Sequence, residues 1–159
     1  MRNVLIIYDS FFGNTEQVAQ AMTAGLTHQA KVSTLRIDDV GLEQLTGLDI
    51  HIVGSPTRAF SPTSAVTKFI DDLPPQTLQG IRVTAYDTRI ATEDANSTLF
   101  SFLVRFFGYA AKPIADRLQK KGGVLALSPE GFLVQGKEGP LKEGELERAA
   151  MWVQQLIAT

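Results

Sequence analysis

The sequence predicts a doubly wound α/β fold, a mostly parallel sheet of five strands with helices on both faces. Three observations carry that expectation. Short apolar runs bounded by Gly, Pro or Asp read as strands buried on both sides. Between them lie segments whose apolar residues recur at helical spacing. The two kinds alternate along the chain without an internal repeat, low-complexity tract or linker-like block, so residues 1–159 read as a single domain.

Val4-Leu5-Ile6-Ile7-Tyr8 is the first strand, near-continuously apolar. From Asn14 to Leu26 the residues Val18, Ala21, Met22, Gly25 and Leu26 share one helical face. A second strand is expected over Lys31 to Ile37, then a short helix near Asp38 to Leu45. Ile50 to Val53 is the third strand, stopping at Gly54-Ser55-Pro56. Val66, Phe69, Ile70 and Leu73 mark a helix ended by Pro74-Pro75, because proline is excluded from helix interiors. Ile81 to Tyr86 is the fourth strand, and helical material follows over about Asn96 to Lys121, with Gly108 and Pro113 as expected breaks. Along it Leu99, Phe100, Phe102, Leu103, Val104, Phe106 and Phe107 are apolar nearly all round, so the face not packed on the sheet either receives a partner or lies under Ala110 to Lys121, and burial within the chain is the favoured reading. Val124 to Leu127 is the fifth strand. Glu145 to Ile157 is the last helix, with Leu146, Ala149, Ala150, Val153, Leu156 and Ile157 inward.

Composition removes several function classes. There are 15 Lys+Arg against 17 Asp+Glu, a net charge of −2, so no basic excess points to nucleic acid. The absence of cysteine excludes disulfides, iron–sulfur ligation, thiol catalysis and Cys-based zinc sites. His28 and His51 are too few for most other transition-metal sites and read as ordinary surface or core residues. No segment approaches the roughly 18 consecutive apolar residues of a membrane span. Arg2 is followed at once by a short strand and Asp9, which does not resemble a signal peptide, so the expected location is cytoplasmic.

Sheets of this class bind ligands beyond the carboxyl ends of the strands, so the loops after strands one, three and four are where chemistry is expected. Ser10-Phe11-Phe12-Gly13-Asn14-Thr15 joins a buried strand to an amphipathic helix. Its hydroxyls and amide suit phosphate oxygens, Gly13 permits a tight turn, and the helix N-terminus adds partial positive charge. The plainer alternative is a capped helix start with Asn14 or Ser10 as N-cap. A triphosphate-binding loop would need Gly-Lys-Ser/Thr, and a dinucleotide fingerprint would need three glycines; neither is present. A response-regulator receiver would need an aspartate where the third strand ends in Gly54-Ser55.

Tyr8-Asp9-Ser10-Phe11-Phe12-Gly13-Asn14-Thr15-Glu16 resembles the Ser/Thr-x-Thr/Ser-Gly-x-Thr phosphate loop of the flavodoxins, departing from it at Phe12, where that family usually has a hydroxyl. Pro129-Glu130-Gly131-Phe132 through Gly139-Pro140-Leu141 is similar to the family as well. The resemblance implies the strand order 2-1-3-4-5 and FMN bound without a covalent link. It also implies that the other two loops meet the flavin ring. In Ser55-Pro56-Thr57-Arg58-Ala59-Phe60-Ser61-Pro62 two prolines stiffen a pocket wall. Phe60 reads either as lying against the isoalloxazine or as capping the core, and Arg58 as a ring contact or a solvated charge. Flavodoxins often place glycine in this loop, where a flipped peptide accepts a hydrogen bond from reduced flavin N5. Here no glycine lies between Ser55 and Pro62, and Ala59 is the least hindered candidate. After the fourth strand, Asp87, Thr88 and Arg89 are expected at the pyrimidine edge, with a turn cap as the alternative for Asp87. The stacking tyrosine usual in electron carriers is missing there, since Tyr86 belongs to the strand and Tyr109 lies a helix away.

Three readings follow from the resemblance. One is an FMN protein carrying electrons between soluble redox partner proteins, in which the flavin does the chemistry. A second is an FMN-dependent NAD(P)H:quinone or flavin reductase, favoured by Pro56-Thr57-Arg58 and the missing tyrosine. A third is an FMN-free binding module. The small net charge weighs slightly against a carrier docking on basic partners. Lys120, Lys121, Lys137 and Lys142 bracket the last strand and are read as a local basic patch or as solvated surface.

Overall fold

A computed structural model describes residues 1–91, 98–99 and 109–158. In chain order the elements are β1 (Arg2–Tyr8), α1 (Asn14–Leu26), β2 (Ala30–Arg36), β3 (Ile50–Pro56), α2 (Ser64–Asp71), β4 (Arg82–Ile90), α3 (Ala111–Lys120), β5 (Val124–Leu125), β6 (Glu130–Val134) and α4 (Glu145–Ala158). The sheet runs β2-β1-β3-β4-β5 with every pairing parallel, and β6 also pairs with β4. This is the doubly wound order that the resemblance implied.

Alternation along β1 shows why its run is apolar throughout. Val4, Ile6 and Tyr8 face a core shared with Val18, Met22 and Leu26 of α1 and Trp152, Val153 and Leu156 of α4. Leu5 and Ile7 face the opposite core, with Val66 and Ile70 of α2 and Ile114 and Leu118 of α3. His51 lies in β3, fully buried, with Nδ1 3.2 Å from the Leu5 carbonyl oxygen and Nε2 without a partner among the described residues. Burial lowers its pKa from 6.5 to about 4, so the ring is neutral at pH 7.

Several boundaries differ from expectation, each for a physical reason. The short helix after β2 is two 3₁₀ turns, Ile37–Asp39 and Leu42–Leu45. β4 continues four residues past Tyr86, because Asp87 and Thr88 still pair with Ser55 and Pro56 of β3 while Tyr86 to Ile90 pair with β6. Asp87, Thr88 and Arg89 are therefore strand residues rather than loop residues. The fifth strand position is split: β5 pairs with Arg82 and Val83, β6 with the distal end of β4, and Pro129 stands in the break. Pro113 does not break a helix but sits in the first turn of α3, where no backbone donor is needed. In α4 the inward face takes Trp152, edge-on to Phe132, while Leu146 is turned out to solvent. Apart from the exposed Leu99, the apolar stretch up to Phe107 lies outside the described residues. Among the described residues no helix is long and apolar enough to cross a membrane.

Candidate functional site

The carboxyl ends of β1, β3, β4 and β6 surround a cavity of about 230 Å³. Of the residues expected to contact a cofactor, Ser10, Phe11, Phe12, Asn14, Thr15, Pro56, Thr57, Arg58, Ala59, Thr88 and Arg89 line it. Gly13, Phe60 and Asp87 do not, while Ile90, Val134 and Lys137 do.

The loop after β1 is held from both sides. The Ser10 N–H donates to Asp9 Oδ1 at 2.9 Å, and the Gly13 N–H donates to Ser10 Oγ at 3.0 Å. The Arg36 guanidinium reaches across from β2 to the Ser10 carbonyl. Gly13 is itself the helix N-cap at φ 91°, a left-handed conformation natural to glycine, so neither Ser10 nor Asn14 plays that role. This turn leaves donors open. Among the described residues, no acceptor meets the backbone N–H of Phe11, Phe12, Asn14, Thr15 or Glu16. The first turn of any helix has such orphan donors, and here four of the five residues that carry them line the cavity. Thr15 Oγ1 and Thr88 Oγ1 lie 2.9 Å apart, both buried, joining the loop to β4. The buried Tyr86 hydroxyl donates to the Thr15 carbonyl at 3.0 Å and fixes the first turn of α1 from below.

The loop after β3 forms a tight hairpin. Arg58 and Ser61 exchange both backbone hydrogen bonds, at 2.8 and 2.9 Å, so Ala59 and Phe60 are the two central residues. Their φ values are 46° and 65°, the left-handed pair that a two-residue hairpin demands and that Asn-Gly usually supplies. Ala59, singled out from sequence as the least hindered residue, thus occupies such a position, at a typical cost of about 1–2 kcal/mol. The Arg58 guanidinium lies 4.7 Å from the Phe11 ring centroid, so the first and third loops touch across the cavity mouth. Phe11 and Phe12 are 56% and 45% exposed, which leaves an apolar lip there. Phe60 is half-buried.

Arg89 is a cation locked in place. Its Nε and Nη2 donate to both carboxylate oxygens of Asp87 at 2.6 and 2.7 Å, a bidentate pair between strand neighbours on one face. The same guanidinium lies 3.7 Å over the Tyr109 ring. The tyrosine that seemed too distant in sequence thus holds the arginine rather than lining the cavity. Asp87 also accepts the Ala111 N–H at 2.9 Å, anchoring the start of α3. Full burial raises the Asp87 pKa, while Arg89 and the Ala111 N–H oppose that rise.

The four lysines around the last strand do not form one patch. Lys120 and Lys121 precede β5 at one end of the sheet, and Lys121 donates to the Asp71 and Leu73 carbonyls. Lys137 and Lys142 follow β6 at the opposite end, and Lys137 borders the cavity.

The flavodoxin family profile matches residues 6–152. The chain belongs to the flavodoxin family. A flavodoxin from the domain Archaea superposes with a TM-score of 0.76 at 20% identity, covering 98% of this chain and 96% of that one. Oxidised flavodoxin 2 from Bacillus cereus gives 0.72 at 23% identity, with 97% of each chain covered. The rubredoxin oxygen:oxidoreductase of Desulfovibrio gigas contains a similar fold as part of a longer chain. It gives a TM-score of 0.72 at 17% identity over 99% of this chain and 36% of that one. Among curated proteins none matches the chain. These likenesses establish the flavodoxin fold, and family membership identifies an FMN-binding type of redox protein. The donors present fit such a cofactor: unengaged amides at a helix N-terminus suit a phosphate, and among the described residues the cavity lining includes three cations and no carboxylate.

The residues that sequence reasoning missed share one origin. Ile90 was lost by ending β4 at Tyr86, and Val134 and Lys137 by ending the fifth strand before Ser128-Pro129. The apolar run Phe132-Leu133-Val134 was the available signal.

Proposed function

We propose that this chain binds FMN non-covalently in the cavity and passes electrons between soluble redox partners. The observation that carries the reading is the run of unengaged backbone donors at Phe11, Phe12, Asn14, Thr15 and Glu16 around Gly13. These amides and the Ser10 and Thr15 hydroxyls would hold the phosphate, with the α1 N-terminus adding its dipole. Pro56, Thr57, Arg58, Ala59 and Arg89 would border the ring, while Thr88 would stand behind the Thr15 hydroxyl. When bound, FMN supplies the redox chemistry and the protein supplies orientation and electrostatics. Asp87 acts one step removed, by fixing the Arg89 guanidinium. Arg89, with its carboxylate partner behind it, presents a fixed positive edge that favours negative charge in the cavity. Phe11 and Phe12 give the mouth an apolar lip against which a partner or a flat substrate can pack.

A second reading is an FMN-dependent NAD(P)H:quinone or flavin reductase. Arg58, Arg89 and Lys137 favour it, since a cation-lined cavity suits an anionic small-molecule reductant better than it suits repelling a second acid. Titration with FMN and riboflavin, followed by flavin fluorescence, tests the binding. Protein that binds neither sinks both readings. Anaerobic mixing of the loaded protein with NADPH then separates them, because direct bleaching marks a reductase and persistence of the colour marks a carrier.

A further inference from the structure

The segment after β6 is a closed hairpin aimed at the loop after β1. Val134 bridges to Leu141, the Gln135 N–H donates to the Pro140 carbonyl at 2.8 Å, and the Gly139 N–H donates to the Gly136 carbonyl at 3.0 Å. The tip is latched to the neighbouring loop. Asn14 Nδ2, from the first residue of α1, donates to the Glu138 carbonyl at 3.0 Å. Gly139 makes this approach possible: at φ 99°, any Cβ there would stand 2.5 Å from Asn14 Oδ1. Asn14 therefore spends one of its two side-chain N–H donors on holding the hairpin.

The latched tip carries Lys137 to the cavity wall, beside Ser10, Asn14 and Thr15. The other two cations of the lining are engaged, Arg89 by Asp87 and Tyr109 and Arg58 by the Phe11 ring. Among the described residues, Lys137 has no ion-pair or ring partner. A charged side chain on a braced tip, lining the same cavity as four residues with unengaged amides, has a counter-charge to give.

We propose that Lys137 is the counter-ion for the ligand's phosphate. A phosphate monoester dianion seated on the Ser10–Thr15 loop takes amide hydrogen bonds from α1 and positive charge from the tip of the Val134–Leu141 hairpin, with Asn14 as the positioning residue. This rests on the FMN reading and adds to it a property that amides alone do not give. Affinity for the phosphorylated flavin becomes strongly salt-dependent, because an exposed cation is screened over roughly 8–10 Å at moderate ionic strength.

The test is a set of FMN and riboflavin titrations of wild type, Lys137→Gln, Lys137→Arg and Lys120→Gln at low and at roughly molar salt. Lys137→Gln is expected to weaken FMN about tenfold at low salt, the scale of one partly screened charge pair. It should converge with wild type at high salt and leave riboflavin unchanged. Lys137→Arg should restore most of the loss, and Lys120→Gln, at the other end of the sheet, should lose nothing. Equal FMN affinities for wild type and Lys137→Gln at every salt concentration would overturn the proposal and leave FMN binding standing. A loss shared equally by riboflavin would also overturn it. Wild type that binds no flavin would overturn this proposal together with the reading beneath it.

Discussion

Removing the Thr15 hydroxyl probes the phosphate site and its support at once. Thr15 Oγ1 lies 2.9 Å from Thr88 Oγ1, and the two residues are 1% and 5% exposed. Two hydroxyls own two protons, and their mutual bond uses one. The second remains for a ligand. If Thr15 gives its proton to phosphate, Thr88 gives its own to Thr15, and the pair works as a relay of two donors. A hydrogen bond to a charged acceptor contributes about 1.5–3 kcal/mol, so Thr15→Ala should weaken FMN by roughly ten- to a hundredfold. Thr88→Ala removes only the support behind it, worth about 1 kcal/mol, or roughly fivefold. The double variant should then bind FMN about as the Thr15 variant does, a coupling of about 1 kcal/mol, since Thr88 has nothing left to act through. Riboflavin, lacking the phosphate, should change little throughout. Isothermal or fluorescence titration of the four proteins with both ligands is the assay, with urea melts to confirm that each is folded. Strictly additive losses would refute the relay, and equal losses for riboflavin would refute phosphate binding by this loop.

Other expectations follow from the same geometry. Ala59→Gly relieves a residue at φ 46°; after glycine's own entropy cost, the unliganded protein should gain about 0.5–1 kcal/mol, and a melt showing a clear loss would deny the strain. His51, fully buried and neutral with its pKa lowered to about 4, adds stability that is complete above its unfolded value near 6.5 and falls away as pH drops toward 4. That loss is of the order of 3 kcal/mol, and urea melts across this range should show a flatter profile for His51→Leu; parallel profiles would exonerate the ring. Arg89→Gln leaves the Asp87 carboxylate buried without its guanidinium and should cost about 3 kcal/mol at neutral pH. The penalty should shrink in acid, where Asp87 is protonated in both states, and a pH-independent penalty would point to lost packing instead.

The sequence made the first half of the molecule plain because its signals agree. Val4 to Tyr8 is apolar on both faces because both faces are covered, and α1 spans the very residues, Asn14 to Leu26, that its spacing marked. The distal end of β4 was opaque for the opposite reason. Tyr86-Asp87-Thr88-Arg89 looks like a polar loop, and only the fold shows the polarity satisfied internally, Asp87 by Arg89 and Thr88 by Thr15. A single sequence carries no mark of such private pairing. Lys137 was visible as a charge but not as a neighbour of Ser10, because more than a hundred residues and an unrecognised strand separate them. The phosphate loop was legible in composition, although its cap was not: Gly13 rather than Ser10 or Asn14 caps the start of α1.

The divided fifth strand position makes the molecule expandable at one place. β5 takes its register from Arg82 and Val83, and β6 takes its own from Tyr86 to Ile90, so each half is aligned by β4 rather than by the other half. The join between them, at Ser128 and Pro129, belongs to neither ladder, and Ser128 faces solvent. Extra residues spliced between Leu127 and Glu130 would therefore lengthen the connection without sliding either ladder, and loop closure adds only about 0.6 kcal/mol for each doubling of length. A sensor peptide, a partner-specific arm or a whole inserted module could be seated there, at the edge of the sheet and one strand away from the cavity it would serve.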